Sequence, residues 1–148
     1  MLSLRHFLVS FSLCIISVSS VWAQNDFAQT AAKEPGAKVT ASGLVFRSLQ
    51  DGQGASPIAT DKVKVHYRGT FPDGKEFDSS YKRNQAIDFP LNGVIPCWTE
   101  GVQLMKIGGK AKLTCPPAIA YGARGAGGVI PPNATLQFEV ELIAIAGK

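Results

Sequence analysis

Asp78 stands in the run Phe77-Asp78-Ser79-Ser80, and aromatic residues recur in short blocks around it. Tyr67 lies in Val65-His66-Tyr67, Trp98 in Val94-Ile95-Pro96-Cys97-Trp98, and Tyr121 in Ala120-Tyr121-Gly122. A lone carboxylate in aromatic company is not an acid–base pair, and the common catalytic constellations are missing. His66 is the only histidine beyond residue 23. It alternates onto the side of Lys62, Lys64 and Arg68, so it reads as surface rather than as a general base. There is no Ser-His-Asp set, no His/Cys cluster at zinc spacing and no Gly-x-x-x-x-Gly-Lys-[Ser/Thr] loop. The glycine-rich residues 122–128 contain Arg124 but follow no strand-to-helix signal, which predicts a mobile loop and not a phosphate cradle. No metal and no cofactor is expected.

The elements that must position these residues are mostly strands. Residues 44–49 are strand-like and end in the turn residues Asp51, Gly52 and Gly54. Residues 62–71 alternate, with Val63, Val65 and Tyr67 on one face. Pro72-Asp73-Gly74 is a strong turn signal, with a short returning strand at 76–78. Ile87, Phe89 and Leu91 alternate again, and 110–115 reads as another short strand. The last, 135–145, puts Leu136, Phe138, Val140 and Leu142 on one face before the pattern blurs at Ile143. One segment alone reads as helix: Trp98, Val102 and Met105 fall at i, i+4 and i+7, after Pro96 and before Gly108-Gly109. An antiparallel sheet wrapped around one short helix is the expected architecture, an α+β fold.

At 148 residues the chain has room for one domain. Residues 1–23 read as a secretory signal: Arg5 and His6, an apolar run over 7–21, then Val21-Trp22-Ala23 as the cleavage site. That run of about 15 residues is short of the ~20 of a spanning helix, so no stable membrane insertion is expected after cleavage. Cys14 leaves with the signal. Loss of Arg5 lowers the formal charge from +4 to +3, too weak and scattered to argue for nucleic acid. Residues 24–42, with a Glu34-Pro35-Gly36 break, read as a flexible leader, and the domain occupies 43–148. The absence of a heptad pattern in the leader predicts a monomer. Cys97 and Cys115 remain, either as a disulfide worth roughly 3 kcal/mol or as two buried free thiols.

From about Gly43 onward the order and spacing of these blocks resemble the FKBP-type peptidyl-prolyl isomerases, exported bacterial type. The series is Val-x-Val-x-Tyr-x-Gly-x-x-x-x-Gly-x-x-Phe-Asp-Ser-Ser from Val63, Trp-x-x-Gly from Trp98, Ala-Tyr-Gly at 120–122, then Ile-Pro-Pro-Asn-Ala-Thr-Leu from Ile130. The resemblance implies an apolar pocket floored by Trp98 and walled by Tyr67, Phe77 and Phe138. Val94, Ile95, Val129 and Ile130 would line its rim. Tyr121 would offer its hydroxyl, and Ile95 its backbone amide, to a bound carbonyl. Asp78 would be the one charge at the edge, with Arg83 as its partner. Tyr67, Asp78, Trp98 and Tyr121 are thus the implied catalytic set.

The sequence departs from the family pattern at Cys97, where glycine is frequent, at Ile87, often aromatic, and at Ala126, often larger. Cys97 gives the cysteine pair a purpose, pinning the helix start to the Cys115 strand; Ile87 thins one pocket wall. The implied activity is acceleration of X-Pro rotation in folding periplasmic or secreted chains, with tacrolimus- or rapamycin-type macrolides as ligands. Two other readings use the same pocket and the loop 122–132: a holdase-type chaperone, and a secreted interaction protein.

Overall fold

The computed structural model describes residues 19–148, with side chains from Asp26 onward. Seven strands form one antiparallel sheet: β1 (Ala37–Val39), β2 (Val45–Gln50), β3 (Lys62–Thr70), β4 (Glu76–Ser79), β5 (Ile87–Pro90), β6 (Lys110–Cys115) and β7 (Leu136–Ile145). Their order is β1-β2-β6-β7-β3-β4, with β5 also paired to β3. The helix α2 (Pro96–Gln103) lies in the concave face, with Pro96 in its first turn, where the missing N–H costs nothing. Val63, Val65, Leu113, Leu136, Val140 and Leu142 face it and are fully buried or nearly so. The expected α+β architecture is the one found.

The local chemistry explains the joins. At Pro72-Asp73-Gly74 the Asp73 carboxylate accepts from the Lys75 N–H at 2.9 Å, and Gly74 takes φ +86°, a left-handed conformation that glycine adopts without steric cost. The blurred pattern at Ile143 is a bulge. Lys64 pairs with Ala144 and Val65 with Leu142, leaving Ile143 as the extra residue, which re-aims Ile145 into the core. Met105 also reaches the core, although α2 ends two residues earlier.

α2 is fastened to β6 along a seam. Cys97 is joined to Cys115 in a disulfide with both residues fully buried. One turn on, a Cβ at Gly101 would fall 2.8 Å from Leu113 Cδ2, so only glycine lets the helix sit this close. Four helical residues rise about 6 Å and two strand residues about 6.6 Å, so the pairs 97/115 and 101/113 match in pitch.

Within residues 24–42, read from the sequence as a flexible leader, the structure has regular elements, and α2 is not the sole helix. Helix α1 spans Ser19–Ala32, and β1 pairs with β2 in register Ala37↔Arg47 to Val39↔Val45. Ala31 is buried, and Glu34 is clamped by Arg47 at 2.5 Å and Lys112 at 3.2 Å on the convex face. The packing uses a small side chain and ion pairs rather than an apolar stripe, which is why hydrophobic periodicity does not reveal it. The signal expected over 1–23 lies outside the described residues up to residue 18; residues 19–23 are helical.

Candidate functional site

The concave face opens between α2 and the β3–β4–β7 edge into a cavity of about 500 Å³. Trp98 forms its floor because Pro96 starts α2 so that residue 98 faces the sheet. Around the indole stand Tyr67 from β3, Phe89 from β5 and Phe138 from β7, all edge-on, with ring centroids 5.2, 5.5 and 5.4 Å away. Phe77 from β4 packs edge-on against Phe138 at 5.6 Å. This is the favoured arrangement of aromatic quadrupoles and makes a stiff apolar box. Gly69 makes room for it: a Cβ there would lie 2.5 Å from Phe77 Cζ.

One polar group faces this box. Tyr67 donates its hydroxyl to Asp78 Oδ2. Arg83 donates to Asp78 Oδ1 at 2.6 Å and to the Tyr67 oxygen at 3.1 Å, closing a triangle. The Ser79 N–H adds a bond to Oδ1 at 2.8 Å. Burial pushes the Asp78 carboxyl up, but Arg83, Tyr67 and that N–H outweigh it and hold it below the usual carboxylate range. Burial and the bond to Asp78 push the Tyr67 phenol up. Asp78 is therefore a fixed anion and Tyr67 a fixed neutral donor.

Behind β3, His66 faces away from the cavity, as the alternation requires. It is half-buried rather than simply exposed, stacked on Tyr81 at 4.7 Å with Nδ1 2.9 Å from Ser80 Oγ. Ser80 Oγ in turn accepts the Tyr67 N–H at 2.8 Å, so this cluster braces the strand that carries Tyr67. Among the described residues no group of three or more His, Cys, Asp or Glu is set to hold a metal.

Of the residues singled out by sequence, Tyr67, Phe77, Asp78, Val94, Ile95, Trp98, Tyr121 and Phe138 line the cavity together. Arg83 reaches it through Asp78. Val129 and Ile130 do not line it. Ala126 and Ile130 exchange backbone bonds of 2.9 and 3.0 Å, which folds the loop on itself. Ile130 is thereby tucked into the core, and Val129 stands 56% exposed. Phe89 and Gly93 are lining residues that sequence reasoning missed. The signal for Phe89 was its place two residues from Ile87 on the inward face of β5, where it supplies the aromatic wall that Ile87 lacks.

The Trp98 indole N–H is buried without a partner. A donor left so costs about 1–3 kcal/mol and is uncommon.

A family model described as FKBP-type peptidyl-prolyl cis-trans isomerase matches residues 54–143. The chain belongs to this family. The FKBP-type 22 kDa peptidyl-prolyl cis-trans isomerase of Escherichia coli (strain K12) is 54% identical over 114 residues, 77% of this chain and 55% of that protein. The crystal structure of FkpA from Escherichia coli superposes with a TM-score of 0.80 at 48% identity, over 82% of this chain and 57% of that one. A peptidyl-prolyl cis-trans isomerase from Pseudomonas syringae pv. tomato gives 0.79 at 42%, over 84% and 92%. The chain spans about half the length of the curated relatives it matches. The fold is thus the FKBP fold, here carrying a disulfide, Cys97–Cys115. Such bonds persist in oxidising compartments, which puts this FKBP outside the cytoplasm.

Proposed function

We propose that this FKBP is a peptidyl-prolyl cis-trans isomerase acting on X-Pro bonds of folding polypeptides in the periplasm or beyond the cell, exported by a signal over residues 1–23 that is cleaved after Ala23. The observation that carries this is the aromatic cavity over Trp98 with one permanently charged, fully partnered carboxylate at its edge. Nothing in it is poised to move a proton, and this reaction needs none.

Rotation about the X-Pro bond is opposed by about 18–20 kcal/mol of amide resonance. The box of Trp98, Tyr67, Phe89 and Phe138 takes the proline ring and strips water from the carbonyl of the preceding residue. Loss of resonance returns electron density from that carbonyl oxygen to the imide nitrogen, so the twisted oxygen is less charged and loses less by leaving water than the planar one. The Tyr121 hydroxyl and the Ile95 N–H are the donors for a bound carbonyl, and the Asp78–Tyr67–Arg83 triangle supplies a polar edge that does not reorganise during rotation. A preference of ~5–8 kcal/mol for the twisted amide yields about four to six decades of rate. Phe77 and Val94 complete the walls.

The test is acceleration of X-Pro isomerisation in a peptide by the chain, beside Asp78→Ala and Trp98→Ala. A large loss in both variants, with native circular dichroism, supports the assignment; a folded but inert wild type sinks it. Tacrolimus- or rapamycin-type macrolides are ligands of the same cavity. They compete with substrate, and the absence of competition at saturation removes that part.

A holdase-type chaperone role is the second reading, favoured by the exposed Tyr121 at the cavity and the exposed Val129 on the loop that follows it. It predicts that Asp78→Ala still suppresses aggregation of a reduced client after turnover is lost.

A further inference from the structure

Val94 belongs to two concavities. On one side it lines the Trp98 cavity. On the other it borders a shallow groove of about 440 Å³ along the outer face of α2, with Asn92, Pro96, Thr99, Glu100 and Gln103. A polypeptide that seats its proline over Trp98 and continues across Val94 enters this groove, since an extended chain advances about 3.3–3.6 Å per residue.

Most polar side chains of the groove are already committed. Thr99 Oγ1 donates to the Leu91 carbonyl at 2.7 Å, and Gln103 Nε2 to the Thr99 carbonyl at 2.7 Å. Glu100 differs. It accepts one bond, 2.5 Å from the Ser42 hydroxyl to Oε2, and among the described residues no cation pairs with it. Asp61 has a lysine and Asp78 an arginine, while Glu34 and Glu76 each have both; the half-buried Glu139 and Glu141 also lack an ion pair but are not part of this groove. Ser42 holds the carboxylate in one place and leaves its charge uncompensated in a half-buried position.

We infer that Glu100 selects substrates, favouring prolyl segments with a lysine or arginine near the proline on the side that crosses Val94. This inference rests on the isomerase reading and names the substrate class of that site. An ion pair at a half-exposed position is worth about two- to fivefold in affinity and weakens with salt. Glu100 is a specificity residue; it touches the flanking side chain and not the rotating bond.

The test uses X-Pro peptides that differ only in carrying Lys or Glu at each flanking position in turn. kcat/KM is read at low and high salt for wild type, Glu100→Gln and Glu100→Lys. The expected result is a Lys-over-Glu ratio of about two to five at one side of the proline, near one in Glu100→Gln, inverted in Glu100→Lys and compressed by salt. A wild-type ratio of one at every position, or a ratio unchanged in Glu100→Gln, overturns it. If no peptide is accelerated, the isomerase reading fails by itself. Peptide affinities by calorimetry then carry the same comparison: a Lys preference abolished in Glu100→Gln upholds the acidic groove, and equal affinities overturn it.

Discussion

Trp98 combines two opposed contributions at one position. Its ring is the proposed seat for a substrate proline, while its buried, unpartnered N–H costs the fold stability. In Trp98→Phe the buried donor disappears, which offsets the lost packing, so stability should stay within about 1 kcal/mol of wild type. Isomerase activity should fall at least tenfold because the floor recedes. Denaturant melts beside peptide assays check both; a loss of 3–5 kcal/mol, the usual cost of a truncated core aromatic, would show that the N–H is not a burden. The Asp78 triangle supports a second expectation. With Asp78 held below the carboxylate range and Tyr67 pushed above the phenol range, kcat/KM should be flat from about pH 5.5 to 9. A bell-shaped profile inside that window would mean that another group titrates during turnover. For stability the signs are opposite. The depressed Asp78 contributes stability above its unfolded value near 3.9, lost as pH falls through its folded value. The raised Tyr67 contributes below about 10, lost as pH rises through its own.

Among the elements, α2 matters most because its first turn holds Trp98, the floor of the cavity, and its N-cap is Ile95, the proposed carbonyl donor. The Cys97–Cys115 bond immediately precedes Trp98, and Gly101 keeps the next turn against Leu113. Replacing both cysteines by alanine should cost about 3 kcal/mol for a loop of this length, and should raise KM as Trp98 and Ile95 gain freedom. Titration of the denatured, unreduced chain cut after Ala23 should find no free thiol; two would exclude the bond.

Strands with a clean period of two, β3 and β7, were legible from sequence, as was the turn at Pro72-Asp73-Gly74. So was α2, through Pro96 and the Trp98/Val102 spacing. α1 and β1 were not, because Ala31 and the Glu34 ion pairs leave no apolar repeat. Within the site, residues on regular elements were found by alternation or family spacing. Val129 and Ile130 sit on a loop whose local bridge to Ala126 decides which way each points, and sequence order does not encode that. Phe89 shares β5 with Ile87, and only the folded sheet shows that Phe89 is the one that packs on Trp98 and lines the cavity.

At the scale of the molecule, helix α1 lies back on the chain's own sheet. α1 buries Ala31 and anchors through Glu34 on its own sheet. We propose that the chain runs as a monomer, its helix α1 being used against its own sheet; a dimer mass in light scattering would overturn this. Ionic strength should leave the fold largely intact, since most of its ion pairs lie at half-exposed positions worth about 0–1 kcal/mol each.

The place of β7 has a further consequence. It follows the other six described strands in the chain, yet it joins β6 to β3 and so links the two halves of the sheet. Until Leu136–Ile145 has emerged, β1, β2 and β6 have no partner in common with β3, β4 and β5. Phe138, one wall of the cavity, arrives with it. Before β7 is made the sheet cannot close, and the chain is in the pliable state in which a polypeptide can be threaded through a membrane pore. The sheet becomes one body only once β7 has joined its two halves.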